Sequence, residues 1–175
     1  MNKNIPNKII VHHTADKTNA PQISKVNQYH KIRTFPQSSL GYFVGYHYFI
    51  EKNGDVIQCR KINDEGAHTI GENLSSIGIG LAGNFDIEMP TALQIQSMVR
   101  LIDKLIKSTI ITISTIYPHR HFSPTSCYGI LLKDDWAEKQ YRIFLNNKLL
   151  TALIALKGLY EKLIFLKWKI QNHLN

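Results

Sequence analysis

Hydrophobic positions along the chain follow two periods. Short β-branched runs alternate with stripes spaced three and four residues apart. Residues 8–14 place Ile9, Ile10 and Val11 ahead of a polar tip, which reads as a buried strand. A turn follows at 16–19, and Pro21 suits the first turn of a helix. Ile23, Val26, Tyr29 and Ile32 then recur every third residue, predicting a helix over about 21–33 with these four on its apolar face. Residues 46–50 read as a strand, Asn53-Gly54 as a hairpin turn and 55–60 as the returning strand. A polar loop over 61–76 leads to a short strand over 77–82, where Gly78 and Gly80 mark a close backbone approach. Thr91-x-x-Gln94 is a capping box. It opens a helix with a stripe of Ile95, Met98, Ile102 and Leu105, widened by Leu101 and Ile106. The β-branched run over 110–116 predicts one more strand. Strands interleaved with helices argue an α/β or α+β layer fold around one sheet.

After Gly129 the pattern changes. Residues 136–174 read as helical throughout. Leu149, Leu153, Leu156, Tyr160, Leu163, Lys167, Ile170 and Leu174 alternate steps of four and three, a heptad seam with one lysine in it. Further leucines, isoleucines and aromatics widen the apolar surface beyond that seam. From Ala137 onward seven Lys/Arg face only Glu138 and Glu161. Two readings fit: a helix that packs or forms a homodimer, or a basic amphipathic helix for an anionic membrane surface over 137–175. The chain therefore divides into a domain over 1–135 and a helical segment over 136–175.

Composition narrows the partners. A formal net charge of +8 over 175 residues favours polyanions such as nucleic acid, anionic lipid or an acidic wall polymer. No run of basic residues interleaved with aromatics stands out in the first 130 positions, so nucleic acid is only one option among these and not the expected partner. Two cysteines, Cys59 and Cys127, are too few for a secreted disulfide scaffold. The first eight residues hold no apolar core of signal-peptide length. The expectation is a chain kept in the cytosol until something releases it.

The candidate chemistry centres on a loop over 117–129. His119 and Cys127 sit in it among turn-forming Pro, Ser and Gly. Imidazole and thiolate are zinc ligands, and a catalytic zinc needs three protein ligands and an open position. His12, at the end of the first strand, can supply the third. Strand alternation means that His12 and His13 cannot both turn to one site. Such a site polarises a carbonyl and lowers the pKa of water to about 7, which suits amide or ester hydrolysis. Tyr46 is a candidate hydroxyl donor to the oxyanion. Against this stand eight histidines, enough for accidental pairs, and a structural metal would use the same ligands. His13, His30, His47 and His173 have no partner argument and read as structural. Cys59 reads as a small buried residue.

Five stretches in order add a resemblance: Val11-His12-His13-Thr14-Ala15; Gly45-Tyr46-His47-Tyr48-Phe49-Ile50 with Asn53-Gly54; Gly66-Ala67-His68; Ser76-Ile77-Gly78-Ile79 with Gly83-Asn84-Phe85; and His119-Arg120 with Ser123-Pro124-Thr125-Ser126-Cys127. Over about residues 8–130 the chain resembles the zinc-dependent N-acetylmuramoyl-L-alanine amidases, which include phage amidase-type lysozymes and the peptidoglycan recognition proteins. The resemblance implies an α/β fold with a single mixed β-sheet and flanking helices, to which the C-terminal helical segment is an extension. It implies cleavage of peptidoglycan between muramic acid and L-alanine, in a phage-type endolysin or, alternatively, an intracellular wall-recycling amidase or a protein that binds without cutting. By position it places Zn2+ on His12, His119 and Cys127, a catalytic role on Tyr46 and Thr125, and substrate contact on His68. His121 is left as a surface or supporting residue. The family's Pro-Gly after the cysteine is replaced by Tyr128-Gly129, which questions the exit of that loop.

Overall fold

Ile9, Ile10 and Val11 are fully buried, so the strand that carries them, β1 (Lys8–His13), lies inside the sheet with a neighbour on each side. The structure, a computed structural model, describes residues 3–173 and the side chains of residues 3–169. The side chains of Ile170 and His173 and the whole of Leu174 lie outside what the structure describes.

Four further strands complete one mixed sheet: β2 (Tyr48–Ile50), β3 (Val56–Gln58), β4 (Ser76–Leu81) and β5 (Ile116–Pro118), in the order β3-β2-β4-β1-β5. Among the described strand pairs of this sheet the β2–β3 hairpin alone is antiparallel, turned by Asn53-Gly54 with Gly54 at φ +88°. The parallel register sets His12 beside Gly80 and Ile10 beside Tyr117, so the C-terminal ends of β1 and β4 open together.

The first helix, α1 (Ile23–Ile32), corrects the predicted apolar face. Ile23 and Val26 pack against Val44, Phe49, Cys59 and Ala82, but Tyr29 and Ile32 are exposed and His30 is buried instead. A strict three-residue spacing drifts by about 60° per step on a helix of 3.6 residues per turn. Over nine residues that drift carries Ile32 to the face opposite Ile23. The first amides of α1 are held by Glu51 at the end of β2, whose carboxylate accepts from the Gln22 and Ile23 N–H groups at 2.8 Å. The second helix, α2 (Ala92–Ser108), begins at the Thr91–Gln94 capping box, with both reciprocal bonds present. It buries Met98, Val99, Leu101, Ile102 and Leu105.

The run over 110–116 is a second correction. Only Ile116 enters a strand; Ile113–Thr115 forms a 3-10 turn. The Thr115 hydroxyl accepts from the Thr112 amide at 3.1 Å and donates to the Thr112 carbonyl at 2.8 Å, so a hydroxyl in the β-branched run bonds the local backbone in place of a ladder.

The third helix, α3 (Trp136–His173), starts in the first of two compact units, which ends at Tyr141. Trp136, Ala137 and Tyr141 are buried there, and the Tyr141 hydroxyl donates to Asp103 of α2 at 3.1 Å. The described residues of the second unit, from Arg142 to His173, are all helix. From Asn146 to Lys169 every residue but Gly158 is exposed.

Candidate metal centre

Strand alternation separates the two adjacent histidines of β1. The His13 ring turns to the Phe85 side, where its Nδ1 accepts from the Phe85 amide at 3.0 Å. His12 turns to the opposite face and meets His119, whose ring centroid is 4.5 Å away. His119 opens a 3-10 turn directly after β5, so its position follows from the β1–β5 register. Cys127 comes back from the far end of the loop to place Sγ 3.8 Å from His12 Nδ1. The ligand atoms of His12, His119 and Cys127 all lie within 4.8 Å of one another. Bonds of ~2.0–2.3 Å in a tetrahedron put zinc's ligand atoms about 3.6 Å apart, and two nitrogens with one sulfur are a zinc-type donor set. The three residues therefore fit the metal.

The cluster is held for neutral imidazoles. Burial, then the neighbouring His68 and His119, lowers the His12 pKa well below 6.5, and burial lowers that of His119. Burial pushes the Cys127 thiol up to about 12. A bound cation would reverse that, because a coordinating thiol ionises.

His68 stands behind His12 and lines the same pocket. Its Nδ1 is 3.0 Å from His12 Nε2, and its Nε2 is 3.4 Å from the Ser76 hydroxyl, which donates to the Glu72 carbonyl at 2.6 Å. If His12 Nδ1 is free to bind metal, its proton sits on Nε2 and is donated to His68. His68 then carries its own proton on Nε2, toward Ser76. One tautomer of each ring satisfies the whole chain.

Tyr46 lies 5.0 Å from His12, ring to ring. Burial, then the neighbouring Cys127, raises its pKa, so its hydroxyl stays protonated. Among the described residues that hydroxyl has no hydrogen-bond partner. Thr125 is exposed on the rim of the pocket, and its hydroxyl oxygen accepts from the Cys127 amide at 3.2 Å. His121 stacks on Tyr117 at 4.6 Å, outside the cluster.

Gly78 and Gly80 do mark a close approach, but of rings and not of backbone. A Cβ at Gly78 would stand 2.6 Å from the His68 ring, and one at Gly80 2.4 Å from the Tyr46 ring. The cavity around the cluster measures about 320 Å3. Its wall of Phe35, Ala67, His68 and His119 is shared with a groove of about 410 Å3 that runs on to Arg33, Ile70 and Ser123.

Two arginines that the sequence reading passed over hold the loops of the site. Arg120 pairs with Asp134 and donates to the carbonyls of Gly129, at 2.7 Å, and Leu132, while its amide donates to the Cys127 carbonyl at 2.8 Å. Arg60, fully buried, donates to the carbonyls of Val44, Glu65 and Pro36. An arginine between two histidines in a turn-rich loop was the available signal for the first. The exit of the cysteine loop is well packed: the Cys127–Tyr128 peptide is cis, and the buried Tyr128 donates to the Asp134 carbonyl at 2.9 Å.

The chain is similar to proteins of known family and fold. The N-acetylmuramoyl-L-alanine amidase family pattern matches residues 2–130. Peptidoglycan-recognition protein SC2 of Drosophila melanogaster is 31% identical over 122 residues, covering 69% of this chain and 66% of that protein. The chain thus spans just under two thirds of that relative. The solved structure of the N-acetylmuramoyl-L-alanine amidase LysC from Clostridium intestinale superposes with a TM-score of 0.66 at 31% identity, covering 82% of this chain and 87% of that one. Bumblebee PGRP-SA gives 0.64 at 28% identity, with coverages of 75% and 81%. With the mixed sheet, the five ordered motifs and a pattern match over more than half of its length, the chain belongs to the N-acetylmuramoyl-L-alanine amidase family.

Proposed function

We propose that this protein hydrolyses the amide bond between N-acetylmuramic acid and L-alanine in peptidoglycan, using zinc held by His12, His119 and Cys127. The observation that carries the reading is the convergence of those three ligand atoms within 4.8 Å, beside an unpartnered tyrosine hydroxyl, on a groove able to take a polymer. Zinc at this site supplies a Lewis acid for the scissile carbonyl and lowers the pKa of a water to about 7. His12 and His119 bind as neutral rings, the forms that burial favours. His68 fixes the His12 tautomer and leaves Nδ1 as the atom that would hold zinc. Tyr46, kept protonated, donates to the developing oxyanion. Thr125 accepts from the Cys127 amide and keeps its own proton for a substrate oxygen. The net charge of +8 favours encounter with an anionic wall. The role that suits this activity is lysis of a bacterial wall after release from the cytosol, as in a phage-type endolysin.

The test is digestion of purified peptidoglycan with metal analysis. The expected result is release of stem peptides with a free N-terminal alanine and about one zinc per chain. Cys127→Ala should lose zinc and cut at least ~1000-fold more slowly. Undiminished cleavage by that variant sinks the zinc mechanism. Wall binding by the wild type without any release would make it a recognition protein.

A further inference from the structure

The largest surface that the metal centre leaves unexplained is the second unit. Leu149, Leu153, Leu156, Leu163, Phe165 and Trp168 are each more than half exposed, with further apolar residues between them. This is far more contiguous apolar area than a lone surface helix shows. Residues 142–169 carry six Lys/Arg and one acid, Glu161, giving 6 − 1 = +5.

At 100° per residue, Asn147, Thr151, Gly158, Lys162 and Lys169 fall in one sector about 60° wide, broken by Phe144 and Phe165. The rest of the circumference is mostly leucine, isoleucine and aromatic. A second copy would cover the seam through Leu149, Leu153, Leu156 and Leu163 but leave Leu150, Ile154 and Trp168 in water on its flank. It would also bring another +5 alongside. A lipid surface covers a wide apolar arc at once and supplies opposite charge. Arg142 and Lys148 near one end, and Lys167 and Lys169 near the other, have stems long enough to reach headgroups while the helix body stays in the acyl boundary. Trp168 and Tyr160 suit that boundary, with apolar rings and polar tips. No described helix is long and apolar enough to cross a membrane, so the helix would lie along the surface.

We propose that residues 142–169 bind the surface of an anionic lipid bilayer, lying in its interface. The surface shares no residue with the metal centre, so this inference stands or falls separately from the amidase reading.

The experiment is flotation of the full chain with phosphatidylcholine vesicles, with and without about a third phosphatidylglycerol. The expected result is at least ~10-fold stronger partition onto the anionic vesicles, weakened by molar salt. A blue shift in tryptophan emission should accompany it and vanish in Trp168→Phe. The triple variant Lys157→Glu/Lys162→Glu/Lys169→Glu should lose at least ~10-fold in partition. Leu153→Ser/Leu156→Ser should also partition more weakly, and both variants should keep the wild-type melting temperature. No retention on either vesicle, or equal retention on both, overturns the proposal. So does a stable dimer without lipid that Leu153→Ser/Leu156→Ser dissolves, because the face would then belong to a second copy.

Discussion

Ile77 and Ile79 in the sheet and Leu153 and Leu156 in the C-terminal helix carry the same kind of side chain to opposite ends. The isoleucines are fully buried between strand neighbours, whereas both leucines are more than half exposed. A buried side chain of this size contributes ~1.5–3 kcal/mol over an exposed one, so the sheet residues hold the fold and the helix residues do not. Hydrophobic content is thus not a measure of core. The period of a pattern names the element, and only the partner decides whether the pattern stabilises anything.

The comparison breaks most visibly by truncation. Phe49→Ala, at a fully buried position, should cost ~3–5 kcal/mol in chemical denaturation. Leu156→Ala should stay within about 0.5 kcal/mol. A helix truncation as costly as the core one would mean that the helix has a protein partner in solution.

Acid sharpens the contrast next. His30 and His47 are held down to about 4, first by burial and then, for His30, by Arg60. Each ring accepts a backbone N–H on Nδ1, from Gly45 and Gly78, and must be neutral there to do so. A folded pKa below the unfolded 6.5 means that the unfolded chain binds more protons in between. Their contribution is complete above about 6.5, falls as pH drops toward 4, and reaches ~2 kcal/mol lost per ring near pH 5. Both rings lie in the first unit, so this loss belongs to it. Denaturation midpoints between pH 7.5 and 5 measure it, and a flat profile contradicts the neutral assignment.

The smallest effect lies inside the site. His68→Leu removes the acceptor for His12 Nε2 and should weaken zinc binding ~10–100-fold in chelator competition. His68→Asn, which keeps a side-chain acceptor, should recover most of it. Equal affinity in both variants and the wild type would leave His68 with packing alone.

Much of this was legible in the sequence. The first strand announced itself as a β-branched run and the β2–β3 hairpin through Asn53-Gly54, and the Thr91 box marked its helix to the residue. The ordered motifs brought His12, His119 and Cys127 forward before any coordinate. What failed did so for physical reasons. The spacing in α1 looked helical, yet three-residue steps walk around a helix, so Tyr29 and Ile32 left the core. The 110–116 run looked extended, yet its threonines spent their hydroxyls on a local turn. The His12–His68–Ser76 chain and the Arg120 clamp depend on ring tautomers and carbonyl directions, which no residue pattern encodes.

Gly78 and Gly80 carry one last consequence. The rings of His68 and Tyr46 rest on bare backbone, with no side chain beneath them that could shrink to make room. A single added methyl would displace a ring before altering any charge or polar group. Positions 78 and 80 of β4 are therefore closed to any side chain unless a ring of the site moves with it.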